Sequence, residues 1–170
     1  MRLYSGKIPI IAGDIVRTLV RDKDIEAEDP REVESDLESV LKEYLRTERE
    51  ITERAKDRLE ATGGQRTDLH RMKRMIAEQR GMGLGEESIS YMLDQLLQML
   101  MRSQNVAEVF SEDPDMRRKM RLILQKHMAV DDELDKEVRS KIKNITEGSQ
   151  TWDVEYAKVM EQVKRKRGLE

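Results

Sequence analysis

Ile89-Ser90-Tyr91-Met92-Leu93-Asp94-Gln95-Leu96-Leu97-Gln98-Met99-Leu100-Met101 is the most apolar helical pattern in a highly charged chain. Ile89, Met92, Leu93, Leu96, Leu97, Leu100 and Met101 recur at helical spacing and so fall on one face. Tyr91 and Met99 widen that face beyond an ordinary amphipathic stripe. The stretch therefore reads as a central strut, expected to pack against elements from both halves of the chain.

The same pattern occurs near the start. Ile8, Ile11, Ala12, Ile15, Val16, Leu19 and Val20 match those seven positions at an offset of 81, and Met1, Leu3, Leu19 and Arg21 meet identical residues at Met82, Leu84, Leu100 and Arg102. This is the mark of an internal repeat. Punctuation repeats too: Glu28-Asp29-Pro30 returns as Glu112-Asp113-Pro114, each a helix start with Asp able to cap and Pro at a position that needs no donor. Val33, Leu37, Val40, Leu41, Tyr44 and Leu45 predict a second helix, matched by Met120, Ile123, Leu124, His127 and Met128 at an offset of 83.

Thr47-Glu48-Arg49-Glu50 has the capping-box arrangement, and Asp131 or Asp132 is placed to cap the corresponding start. Third helices then follow, with narrow stripes at Ile51, Ala55, Leu59 and at Leu134, Val138, Ile142. Gly63-Gly64 and Glu147-Gly148-Ser149 end them. Leu69, Met72, Met75, Ile76 and, in the other half, Trp152, Tyr156, Val159, Met160, Val163 predict the fourth helices, which finish at Gly81 and Gly168. Gly81-Met82-Gly83-Leu84-Gly85 follows a helix and no strand, so it reads as a linker and not as a dinucleotide loop. The expected fold is all-α: two similar units, 1–81 and 82–170, of about four helices each, packed through their wide apolar first helices.

Composition agrees. Of 170 residues 39% are charged and 4% aromatic, with three prolines, which favours helices with solvated faces. A net charge of -3 creates no global pull toward nucleic acid or anionic membrane. The chain has no cysteine, which excludes disulfides and thiolate chemistry and suits a reducing compartment. The opening residues are too short and punctuated a pattern for a signal peptide, and no run approaches the roughly 20 apolar residues of a membrane span. A cytoplasmic protein without a membrane partner is expected.

Glu147-Gly148-Ser149-Gln150-Thr151-Trp152-Asp153-Val154-Glu155-Tyr156, with Lys164-Arg165-Lys166-Arg167-Gly168 after it, makes a recognisable tail. Together with Met1-Arg2-Leu3, Ile8, Ile15-Val16 and the break before Asp131-Asp132-Glu133, it resembles the bacterial family catalogued as domain of unknown function 507. The resemblance covers essentially the whole chain and implies an all-helical fold. It implies no established activity and supplies no catalytic residue. Shorter members look like a single unit, so this sequence looks like the tandem form, with Thr62-Gly63-Gly64-Gln65-Arg66-Thr67-Asp68-Leu69 lacking the Trp in its first copy.

Candidate chemistry is sparse. His127, which corresponds to Tyr44, reads as an amphipathic ring at a core edge, since further ligands at metal spacing are not evident. His70 lies beside Asp68 and Arg71 at a helix start with no convincing nucleophile nearby. Asp131-Asp132-Glu133 and Asp22/Asp24 read as solvated turns. No catalytic, metal or cofactor constellation is expected. Charge is uneven: residues 24–60 are acid-rich, whereas Arg117, Arg118, Lys119, Arg121 and Lys126 make the matching helix basic. That helix, extended by Arg71, Lys73, Arg74 and by Lys164, Arg165 and Arg167 of the tail, is a candidate surface for a partner or for phosphates. The scarcity of aromatics argues against a base-stacking platform. Trp152 is the candidate anchor, either packing the tail or binding a partner. The expected function is an interaction or scaffolding module without enzymatic activity. Its partner is another protein, or a second copy held through Ile8–Val20 and Ile89–Met101, with RNA or DNA binding as the alternative.

Overall fold

Local chemistry sets the helix ends in the computed structural model, which describes residues 2–147 and 149–169, without the side chains of Val130 and Asp131. The expectations at Met1, at Gly148 and for the Asp131 side chain lie outside the described residues. The elements are α1 (Ile8–Arg21), β1 (Ile25–Glu26), α2 (Pro30–Thr62), α3 (Leu69–Gln79), α4 (Ser88–Arg102), β2 (Glu108–Val109), α5 (Asp113–Lys141) and α6 (Gln150–Lys166). A 3-10 turn leads into each of α1, α3 and α4. Asp29 accepts a hydrogen bond from the Arg31 amide at 3.0 Å and so caps α2, with Pro30 at its first position. Ser149 does the same for α6 through the Trp152 amide at 3.1 Å. Gly63 closes α2 at φ 66, a left-handed conformation that a side chain would strain.

Mostly helical architecture is confirmed, with one correction. Thr47–Glu50 does not begin a new helix: α2 runs unbroken for 33 residues and α5 for 29, so among the described residues each half has three α-helices where four were expected. Residues 31–62 contain no glycine or proline, and Leu37, Leu41, Tyr44, Ile51, Ala55 and Leu59 lie on one continuous heptad-like stripe. A capping-box pattern in such a segment has nothing to stop the helix before it. Asp132 and Glu133 likewise sit inside α5.

α1 packs on α2 and on α5, and α4 packs on the same two helices, so α2 and α5 occupy opposite corners of a four-helix body. Ile8, Ile11, Ile15, Leu19, Met92, Leu93 and Leu96 are fully buried there. The wide faces of α1 and α4 are thus mostly consumed within the chain, each against long helices from both halves, with Met101 left 61% exposed at the end of α4. One core draws on both halves, from Leu3 to Met128. A second cluster joins Leu134 and Val138 of α5, and Ile142 just past its end, to Met160 and Val163 of α6, with Trp152, Tyr156 and Tyr4 at its margin. At 1.5 Å per residue α2 and α5 are about 50 and 44 Å long, against about 21 and 22 Å for α1 and α4. The long helices therefore run roughly 20 to 30 Å past the short ones, α2 carrying α3 and α5 carrying α6. Among the described residues no helix is long and apolar enough to cross a membrane.

Candidate interaction surface

Two polar clasps tie the halves together. β1 pairs antiparallel with β2, Ile25 opposite Val109 and Glu26 opposite Glu108. Beside them Asp24 is only 3% exposed, and its carboxylate accepts from Lys119 Nζ at 2.6 Å and from the Ser111 hydroxyl. Asp22 reaches the same ammonium at 3.1 Å. The reading of Asp22 and Asp24 as solvated turn residues is therefore wrong for Asp24: a buried carboxylate is tolerable only with such partners. Hydrogen bonds to Asp24 and Asp22 raise the Lys119 pKa, and the bond to Lys119 lowers that of Asp22. On the other side Asp36 of α2 accepts from Asn105 Nδ2 at 2.9 Å and from the Ser103 hydroxyl. The turn after α1 thus grips α5, and the turn after α4 grips α2.

The clasp takes Lys119 out of the basic surface, and most other cations of that surface have partners too. Arg117 reaches Asp94 at 2.6 Å and Arg121 reaches Ser90 Oγ at 3.4 Å, both on α4. Arg118 comes no nearer than 3.8 Å to Asp115. Arg167 pairs with Glu137 at 2.6 Å and Glu133 at 3.6 Å, Arg165 with Glu161 at 3.2 Å, and Lys164 Nζ lies 3.8 Å from the centre of the Tyr4 ring. Arg117 and Glu137 are twenty residues apart on one helix, about 30 Å. The tail cations therefore stand far from Arg117 and do not extend its patch. Arg71 stays local, 3.6 Å from Asp68. Lys126 is exposed and has no ion pair among the described residues.

Trp152 is half-buried, stacked on Tyr156 with ring centres 4.8 Å apart and with the Arg139 guanidinium 5.4 Å from its ring. It packs α6 onto the far end of α5. Burial, together with the hydrogen bond to Asp135, pushes the Tyr156 phenol up. Asp153 pairs with Arg66, bringing the turn before α3 to the start of α6.

His127 lies at the seam of α5 and α1, 10% exposed, its Nε2 2.6 Å from Asp14 Oδ2. Burial raises the Asp14 pKa, but hydrogen bonds and charge from His127 and Arg17 outweigh it and bring it below the usual 3.8. His70 is exposed. Sequence reading missed Asp14 and Asp36 because a single carboxylate carries no periodic signal. The signal that could have exposed the clasps was the offset of 83, which sets Asp36 against Lys119.

The seam of α2 and α4 is open. A cleft of about 250 Å³ there has Val40, Tyr44, Met82 and Met99 in its walls and Ser39 and Glu43 at its lip. Burial, then the charge of Glu48, pushes the Tyr44 phenol up, so it stays a neutral hydroxyl. A second cleft of about 650 Å³ runs along α2 past Ser5 and Ile8, lined by Arg46, Arg49, Glu53 and Arg54. Neither histidine lines either cleft.

No curated protein matches the chain. The tail around Trp152, the opening Arg2-Leu3 and the helical order agree with a match over residues 1–169 to the family described as Protein of unknown function (DUF507), and the chain belongs to that family.

Proposed function

We propose that this is a non-enzymatic cytoplasmic interaction or scaffolding module, built from two copies of one helical unit, 1–81 and 82–170, and working through the outer faces of its long helices. The observation that carries this reading is how the apolar surface is distributed. α1 and α4 bury most of their wide faces, while α2 and α5 continue beyond them with apolar stripes backed by small partners. The chain exposes 10839 Å², where a compact protein of 19.9 kDa exposes about 8,700 Å². So much helical surface on so small a core suits binding over an extended area.

Duplication is supported by burial at matched positions: Val33 with Met116, Leu37 with Met120, Leu41 with Leu124, Ile51 with Leu134, Ala55 with Val138 and Leu59 with Ile142 are all buried. At the same offset of 83, β1 maps onto β2, and their antiparallel pairing is what a twofold relation between copies requires. The clasps follow the same exchange, each turn gripping the other copy's long helix.

Nucleic-acid binding is the weaker reading, because the cations proposed for it are mostly neutralised by neighbours. Capture from native lysate separates the two. The full chain and a surface variant, Arg118→Glu with Lys126→Glu, serve as baits with and without nuclease. Proteins that survive nuclease and are lost with the variant support the interaction module. Capture abolished by nuclease favours nucleic acid, and equal capture by both baits removes the assignment to these faces.

A further inference from the structure

The outer face of α5 and the open seam of α2 with α4 are complementary to each other and cannot meet within one chain. On α5, Arg118, Leu122 and Lys126 follow at intervals of four and form one stripe. Leu122 is 62% exposed between its two cations, of which Lys126 lacks an ion pair among the described residues. On the other side of the body the α2–α4 cleft offers Val40, Met82 and Met99 as apolar wall, with the carboxylate of Glu43 at the lip. Methionine walls adapt readily to an inserted side chain. Glu43 is exposed; Arg46, one turn on, donates to both of its oxygens and lowers its pKa, and the ionised carboxylate keeps further lone pairs with which to accept from a third group.

The offset of 83 places Ser35, Ser39 and Glu43 where α5 has Arg118, Leu122 and Lys126. Two α5 faces brought together would set cation against cation, and two α2 faces would set Glu43 against Glu43. Only the unlike pair joins opposite charges with an apolar residue entering an apolar cleft, so the charges select against like pairing. Because α2 and α5 lie at opposite corners, such a contact is heterologous and leaves one free face of each kind at the ends of any assembly that does not close into a ring.

We propose that the occupant of the α2–α4 cleft is a second copy of this chain, with Leu122 of one copy entering the cleft of the next and Lys126 meeting Glu43 there. This rests on the reading of the chain as an interaction module and names its partner. The test is sedimentation equilibrium of the full chain over a wide concentration range at low and moderate salt, using wild type, E43K, K126E, L122D and the double variant E43K/K126E. All these positions are exposed or partly so at the surface, and circular dichroism melts check that each variant folds. Wild type should associate more tightly at low salt. Each charge reversal should weaken association about tenfold, since like charges at an interface repel. L122D should weaken it at least as much, and the double variant should recover to within about threefold of wild type, because the swapped charges attract again. A wild-type chain that stays monomeric at low salt, or a double variant no better than either single one, overturns the proposal. If nuclease-resistant capture of other proteins persists in a monomeric chain, only self-docking falls; if capture fails too, the interaction module falls with it.

Discussion

The residue with the strongest claim on stability beyond the apolar core is Lys119. Its ammonium is the main charge partner of a carboxylate that is 3% exposed, so among the described residues Lys119→Ala leaves the Asp24 carboxylate only the Ser111 hydroxyl. Breaking a charge-assisted hydrogen bond at a buried acid costs about 2 to 3 kcal/mol, whereas Arg118→Ala, which loses only a solvent-exposed 3.8 Å contact with Asp115, should change stability by less than about 0.5 kcal/mol. Urea unfolding of the two variants measures the contrast. Asp14 predicts a pH effect of definite sign. Its folded pKa lies below 3.8, so the stability it contributes is present above that value and declines as pH falls through the lower one. His127→Phe should therefore flatten the acid limb of a stability-pH curve while leaving the clasp at Asp24 untouched.

At the scale of elements, the continuity of α2 is the feature on which sequence and structure part. Glu48→Pro decides it. In a continuous helix that proline removes the bond to the Tyr44 carbonyl and clashes with it, costing about 3 kcal/mol or more; at the first position of a separate helix it would be tolerated. Thermal unfolding should show a large loss. The periodic elements were legible beforehand because burial leaves a regular trace: Ile8 to Val20 and Ile89 to Met101 announce two buried helices by spacing alone. Thr47-Glu48-Arg49-Glu50 misled because a capping box states where a helix can start, not that the preceding one has ended. Asp24 misled for a different reason. Its burial depends on Lys119, 95 residues away, and pairing at that distance leaves no local pattern. The basic surface was half legible: Lys and Arg could be placed on a helix face, but their neutralisation by Asp94, Glu133 and Glu137 belongs to tertiary packing.

For the whole molecule, the account holds that both halves build one core and that the extended helices and their outer faces are left for contacts. Stability should then divide by distance from the body and not by position in the sequence. Native-state hydrogen exchange on the full chain tests this most directly. Buried-face amides of α1 and α4 should open together, near the free energy of global unfolding, while α3, α6 and the far ends of α2 and α5 open at lower cost. Protection that drops as a block across 1–81 while 82–170 keeps its own, or the reverse, would contradict the shared core.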